Sequence, residues 1–362
     1  MDLKSYTLAE LESHVEPALS GSGGIVPLSP LRLISYLKNP RAGKSDHLLF
    51  ELRHEGRLVA YRTLLPDYFY DKKGILQQFA WLSGNYVDPD FRREGLSTKL
   101  LQLAEAQWDG RLMYTNYAPA SKALYDRTGQ FPVLAQKDGK RFYLRSASKE
   151  LLGNRLGSRE LLKKGDQMVN RIREGKLQKF QPVDPSICRI ERITTLDQEV
   201  VHLIRQSQGS SLFRRDDGIF SWILDHPWVT RQDVDTLNYQ FTYKADKFEN
   251  LLLKFILPGN KGLGLLWLVI HNQKLSAPYL FIDNEDIYPL MARTLIHTMI
   301  THGSAYSTIH HPELLDHLVQ HKKWFLSLRN MPQLLFAHKK IIDLVPDNPE
   351  IHDGDGDVVF TG

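Results

Sequence analysis

The chain has 362 residues, 42% of them hydrophobic and 24% charged, which excludes a disordered or fibrous protein and exceeds the ~250 to 300 residues at which one core stops growing. Its formal net charge of +4 favours anionic ligands but shows no clear basic stripe, so no nucleic-acid partner is expected. One cysteine, Cys188, excludes an internal disulfide framework or a thiolate metal cluster, and it reads as a buried structural thiol.

The start, MDLKSYTLAELESHV, carries neither a basic leader nor an apolar core, and no run of 18 apolar residues occurs. A cytoplasmic protein without a membrane span is the expectation. From Leu8, the spacing of Leu8, Leu11, Val15 and Leu19 predicts a helix. HLLFELRHEGRLVAYRTLL predicts two strands joined at His54 to Gly56, and GILQQFAWLSGNYVDP a further strand stopped by Asp88-Pro89. Leu96, Leu100, Leu103, Ala104 and Trp108 then recur at helical intervals. RLMYTNYA reads as a strand, PASKALYDRTG as a helix ending at Gly129, and FPVLAQKDGKRFYLR as a hairpin about Asp138-Gly139. Between residues 147 and 185 the chain is basic and glycine-interrupted, as a partly helical linker would be. From 186 to 345 helix and strand signals alternate again, including a strand in TLNYQFTYKA and a hairpin turn at GNKGLG. Residues 346–362 read as an acidic, turn-rich tail, with DGDGD at 353–357 a solvated turn.

The strongest chemical signal is the turn ahead of the helix at Leu96. A helix N-terminus presents unsatisfied N–H groups and a partial positive charge, so it is a natural seat for an anion. Gly95 lets backbone approach a ligand closely, Ser97 and Thr98 add small donors, and Arg92 and Arg93 bring charge to the same place.

YVDPDFRREGLSTKLL resembles the acyl-coenzyme A binding signature of the GNAT superfamily of N-acyltransferases, R/Q-x-x-G-x-G/A opening a helix after a strand. Arg92 and Gly95 match it, and Ser97 stands where Gly or Ala is usual. NYAPASKALYDRTGQF resembles the element that follows, with Asn116, Ser121 and Tyr125 in the matching places and Gln130 inserted before Phe131. The resemblance covers about residues 1 to 146. It implies an α/β (α+β) fold with a mixed central sheet flanked by helices, and acetyl-CoA as cosubstrate. It implies that Arg92, Arg93, Glu94, Gly95, Leu96, Ser97 and Thr98 cradle the pyrophosphate, and that Tyr86, Val87 and Asn116 hold the pantetheine arm. Tyr125 becomes the general acid that protonates the departing thiolate. The general base stays open, with Glu51, Asp67 or a water chain as candidates.

RRDDGIFSWILDHPWV weakly resembles the C-terminal halves of tandem GNAT-like proteins, which implies a degenerate second GNAT-like domain over 186–345 without a coenzyme turn. Trp222, His226 and Trp228 read there as core. His317 and His321 lack the glutamate of a zinc hydrolase, so no metal is expected. The partner implied is a small-molecule amine, an amino sugar among the candidates, acylated by direct attack in a ternary complex. A non-catalytic acyl-CoA-binding module and an aminoacyltransferase acting on a cell-wall precursor remain alternatives. Oligomeric state is not legible.

Overall fold

The computed structural model describes residues 1–13, 25–115, 119–148, 159–231 and 237–361. In chain order the first strands and helices are β1 (Asp2–Thr7), α1 (Leu8–Ser13), α2 (Pro30–Leu37), β2 (His47–His54), β3 (Arg57–Tyr70), β4 (Leu76–Val87), α3 (Leu96–Gln107), β5 (Leu112–Tyr114), α4 (Pro119–Thr128), β6 (Val133–Lys137) and β7 (Lys140–Tyr143). They are followed by α5 (Arg159–Leu177), β8 (Arg189–Ile193), α6 (Gln198–Ser207), α7 (Asp217–Asp225), β9 (Phe248–Ile256), β10 (Leu263–His271) and β11 (Lys274–Ile282). The rest are α8 (Tyr288–Thr301), β12 (Tyr306–Ile309), α9 (Pro312–Gln320), β13 (Ser327–Asn330), β14 (Gln333–Ala337) and α10 (Lys339–Ile342).

Local chemistry accounts for much of this. Glu55 and Gly56 both take positive φ, as the two-residue turn between right-twisted strands requires, and β2 and β3 form the expected hairpin. Leu96, Leu100, Leu101 and Ala104 bury one face of α3 against β2 and β3, and the Trp108 indole donates to the His47 carbonyl at 3.0 Å. GNKGLG forms the expected link between the antiparallel strands β9 and β10. Cys188 is buried in the second half's core, as expected.

Two seven-stranded mixed sheets result, in the orders β1-β2-β3-β4-β5-β14-β6 and β13-β7-β12-β11-β10-β9-β8. Each holds one parallel pair, β4 with β5 and β11 with β12. The two orders correspond position by position, so the halves share one architecture with a reciprocal exchange. Strand β14 of the second half enters the first sheet between β5 and β6, and β7 of the first half enters the second sheet between β12 and β13.

The hairpin expected at Asp138-Gly139 is therefore opened. Gly139 lacks the positive φ that a two-residue hairpin turn needs, and the chain runs on into the other sheet. There it crosses the 331–332 link: Met331 N donates to the Gly139 carbonyl at 2.8 Å, and a Cβ at Gly139 would stand 2.2 Å from the His310 ring. The two sheets thus each draw a strand from across the division expected between residues 1–146 and 186–345.

Two further expectations are corrected. Residues 237–243 form no strand; Thr230 and Lys244 make one isolated bridge, and Tyr239 and Phe241 of the segment line a cavity. The 346–362 segment is not a solvated tail. Ile351, His352, Asp355, Val359 and Phe360 are buried, because Arg215, Lys137 and Arg32 supply counter-charge inside the molecule. Trp222 and Trp228 are core, packed on the Phe360 ring at 5.0 and 4.7 Å, while His226 is half-buried. Of the linker, residues 149–158 lie outside the described residues, and α5 follows as a helix. No described helix is long and apolar enough to cross a membrane.

Candidate active site

The site begins where the first sheet splits. Parallel pairing of β4 with β5 extends only over Ala80↔Leu112 and Trp81↔Met113, whereas β4 continues to Val87 bonded to β3 alone. Leu82 to Val87 therefore present an open strand edge, to which an extended ligand can add main-chain hydrogen bonds. A bulge deepens the opening: Leu82 pairs with Leu64 and Gly84 with Thr63, which leaves Ser83 without a register partner.

Past the end of β4, the Asp88 carboxylate accepts from Asp90 N at 3.0 Å and closes a single 3-10 turn over Pro89–Phe91. Arg93 and Gly95 then take φ of 73° and 77°, and α3 starts. Gly95 is its N-cap and provides no side-chain cap bond, so the first-turn amides of Leu96, Ser97 and Thr98 face outward without a side-chain acceptor. Arg92, Arg93, Glu94 and Gly95 are exposed around that end, and Arg92 Nε reaches back to the Val87 carbonyl at 3.3 Å. A 12-residue helix with open N–H groups, beside two arginines, can hold a pyrophosphate.

Ser97, the departure from the family pattern, does not fill the turn. Its hydroxyl bonds the Asn85 side chain on β4, with the Asn85 amide 2.9 Å away. From Asn85 the contacts run inward: Arg62 NH2 donates to Asn85 Oδ1 at 3.2 Å, and Arg62 NH1 donates to the Tyr125 hydroxyl at 3.1 Å. Arg62 is fully buried and forms no ion pair among the described residues. Its charge is held by these neutral acceptors, so a buried cation stands directly behind Tyr125. Tyr125 lies on α4, 4% exposed, its ring 4.3 Å from Tyr114 and 5.5 Å from Phe131.

Tyr125, Ser121 and Asn85 line a cavity of about 500 Å3 together with Ser83, Arg32, Tyr239, Phe241 and Asp357. Arg32 closes its inner end. The guanidinium lies 4.2 Å over the Trp228 ring and donates to Tyr239 at 3.1 Å, Tyr36 at 3.0 Å, Thr63 at 2.9 Å and Ser83 at 2.7 Å. The Ser83 hydroxyl in turn donates to the Asp357 carboxylate. Burial raises the Asp357 carboxyl above its ordinary range, against the lowering influence of Arg32 and Ser83.

The structure thus brings together the turn from Arg92 to Thr98, the strand end at Tyr86 and Val87, and Tyr125 across the same split. Tyr86 stacks on Tyr61 at 5.5 Å, and burial raises its phenol. Asn116 lies outside the described residues. Neither carboxylate considered as a base lines the cavity. Glu51 is buried against Arg53 at 2.9 Å and the Tyr6 hydroxyl. Asp67 is clamped by Arg41, by Arg215 at 3.1 Å and by the Trp81 indole at 2.8 Å, and the two guanidiniums bring it down to about 2.

Sequence reasoning missed Arg62, Asn85, Ser83 and Asp357. The signals were an arginine inside the apolar run LVAYRTLL and the polar triplet SGN inside a buried strand.

A split mixed sheet with an open strand edge, ending at an uncapped glycine-initiated helix, gives this α/β protein a groove suited to an extended ligand that ends in an anion. Residues 21–129 match the Acetyltransferase (GNAT) family, so this part of the chain is a GNAT-type acyltransferase domain. Saccharomyces cerevisiae N-myristoyltransferase with bound myristoyl-CoA superposes with a TM-score of 0.52 at 10% identity, over 93% of this chain and 82% of that one. A conserved protein of unknown function from Enterococcus faecalis V583, a probable N-acyltransferase, gives 0.51 at 10% identity over 95% and 73%. At such identity the likeness is one of fold. No curated protein matches the sequence.

Proposed function

We propose that the protein is an N-acetyltransferase that moves an acetyl group from acetyl-CoA to a primary amine by direct attack. The observation that carries this reading is the single line of contacts from the open helix end through Ser97, Asn85 and Arg62 to the Tyr125 hydroxyl. It couples a seat for an anion to a proton donor beside the unpaired edge of β4.

In this reading the N–H groups from Arg93 to Thr98 take the pyrophosphate, the open edge at Tyr86 and Val87 pairs with the pantetheine amides, and Asn116 is a further residue assigned to that arm. The amine nitrogen attacks the thioester carbonyl, the C–S bond breaks with its electron pair on sulfur, and Tyr125 gives that sulfur its proton. Arg62, bonded to the same phenol oxygen, stabilises the negative charge that this transfer leaves on Tyr125. Positioning supplies the rest of the acceleration. A cytoplasmic setting fits a cosubstrate of this kind.

A thiol-release assay with acetyl-CoA over a panel of primary amines tests the proposal. The expected result is CoA release that depends on both acetyl-CoA and amine. Saturable acetyl-CoA binding with no release on any amine would instead identify a module that binds the coenzyme without turnover.

A further inference from the structure

The amine that attacks must first lose a proton, and the cavity beside Tyr125 holds one carboxylate placed to take it. Among the described residues lining that cavity, Asp357 is the only carboxylate and Arg32 the only lysine or arginine. The NH1 and NH2 groups of Arg32 are committed to Tyr239, Tyr36, Thr63 and Ser83. Asp357 is partly accessible from the cavity and is held by the hydroxyl of Ser83, the residue at the bulge of β4. The charged and titratable groups facing it are Arg32 from α2, Tyr239 from the 237–243 segment, Tyr125 from α4 and His271 from β10. His271 is pushed toward its neutral form by burial, and its Nδ1 lies 2.6 Å from the Thr361 carbonyl.

Three further aromatic rings, Trp228, Tyr239 and Phe241, stand in the remaining wall among small polar and apolar side chains. Trp228 is covered by Arg32 on one side and by Phe360 on another, whereas Tyr239 and Phe241 are partly exposed and meet edge-to-face at 5.6 Å. Phe241 also reaches Gly84, where its ring edge would lie 3.5 Å from a Cβ. One carboxylate with two aromatic rings suits a cation on an apolar body. Among the described residues no second acid lines the cavity to pair with a polycation, and the committed Arg32 gives an anionic acceptor little to bind.

Resting on the transferase reading, we propose that Asp357 is the catalytic base and that the acceptor is a monocationic primary amine carried on an aromatic or apolar body. The acceptor's ammonium docks on the Asp357 carboxylate and transfers one proton to it. The neutral nitrogen then forms the C–N bond as the C–S bond breaks, the sulfur takes the Tyr125 proton, and the proton remaining on the new amide nitrogen is lost to Tyr125. Asp357 returns its own proton to solvent as product leaves.

The test compares phenethylamine, glucosamine and spermidine as acceptors for the wild type, Asp357→Asn and Phe241→Ala, with CoA release followed from pH 5 to 9 and acetyl-CoA affinity measured alongside. Phenethylamine should be preferred by at least about 10-fold in kcat/KM. Asp357→Asn should lose about 10²-fold or more in kcat and the acid limb of the rate profile, with acetyl-CoA affinity unchanged. Phe241→Ala should raise KM for phenethylamine about 10-fold and keep that limb. Wild-type rates with an unaltered acid limb in Asp357→Asn overturn the base. Should that variant fail to fold, an unchanged phenethylamine KM in Phe241→Ala overturns the assigned cavity. Turnover of glucosamine or spermidine in preference to phenethylamine overturns the acceptor class and leaves the transferase reading intact. Absence of CoA release with every amine overturns both.

Discussion

Replacing Tyr125 by Phe should lower kcat for amine acetylation by about 10²- to 10⁴-fold, the range a positioned general acid supplies, and leave acetyl-CoA affinity within about twofold. The substitution keeps the ring and its contacts with Tyr114 and Phe131, so packing is preserved. What it removes is one hydroxyl, the acceptor for Arg62 NH1. Arg62 keeps Asn85 but loses half of its satisfied donors, which should cost about 1 to 3 kcal/mol of stability. A fall in melting temperature with unchanged kcat would reduce Tyr125 to a packing residue; the expected pattern is a folded protein that binds acetyl-CoA and turns over poorly. Steady-state kinetics with calorimetric titration of the same preparation separates the two.

Asp67→Ala should be strongly destabilising, at about 3 to 5 kcal/mol, because it leaves the buried Arg41 guanidinium without a carboxylate and Arg215 with Asp355 alone. Asp67 joins Arg41 after α2 to Arg215 ahead of α7, and Arg215 Nε continues to Asp355 at 3.3 Å. All four are buried. The two acids titrate in opposite directions. Asp67 is depressed to about 2 by the two arginines, so the stability it confers is present above the ordinary carboxylate range and is lost as pH falls from about 4 toward 2. Asp355 is raised to about 6 by burial, which outweighs the lowering pull of Arg215. Its contribution is full below about 4 and is lost as pH rises through 6. Denaturant unfolding should therefore show an acid-side loss in the wild type below about pH 4 that is missing in Asp67→Ala. An equal acid-side loss in both would assign acid sensitivity to other carboxylates.

The parts of this molecule that the sequence made readable are those set by neighbours along the chain. Gly95 at the start of α3, the positive-φ pair Glu55-Gly56 and the stop at Asp88-Pro89 each carry their own instruction, and all three lie where expected. The exchange of β7 and β14 was not readable for a physical reason. An alternating strand states which face is buried but not which sheet receives it, and Asp138-Gly139 suits a hairpin as well as a crossing. The acids at 353–357 misled in a related way. In isolation they belong in water, yet Asp355 meets an arginine 140 positions earlier and Asp353 the ammonium of Lys137 at 2.5 Å. Asp357, the residue that supplies the missing base, was hidden among them. Arg62 was visible as a charge in an apolar strand, but its meaning depends on Asn85 and Tyr125, which only the folded sheet brings to it.

The central claim is that the open end of α3 seats the coenzyme, and calorimetric titration of acetyl-CoA into the wild type and Gly95→Val tests it most directly. A Cβ at position 95 meets nothing within 4 Å, so the substitution acts through φ of 77°, a conformation that a β-branched residue resists by about 1 to 2 kcal/mol. Distorting the turn should spoil the convergence of its N–H groups on the pyrophosphate and leave the sheet intact. The account predicts saturable binding by the wild type, weakened at least about 10-fold in a folded Gly95→Val protein. Equal affinity in both proteins, or no binding by the wild type, would contradict it.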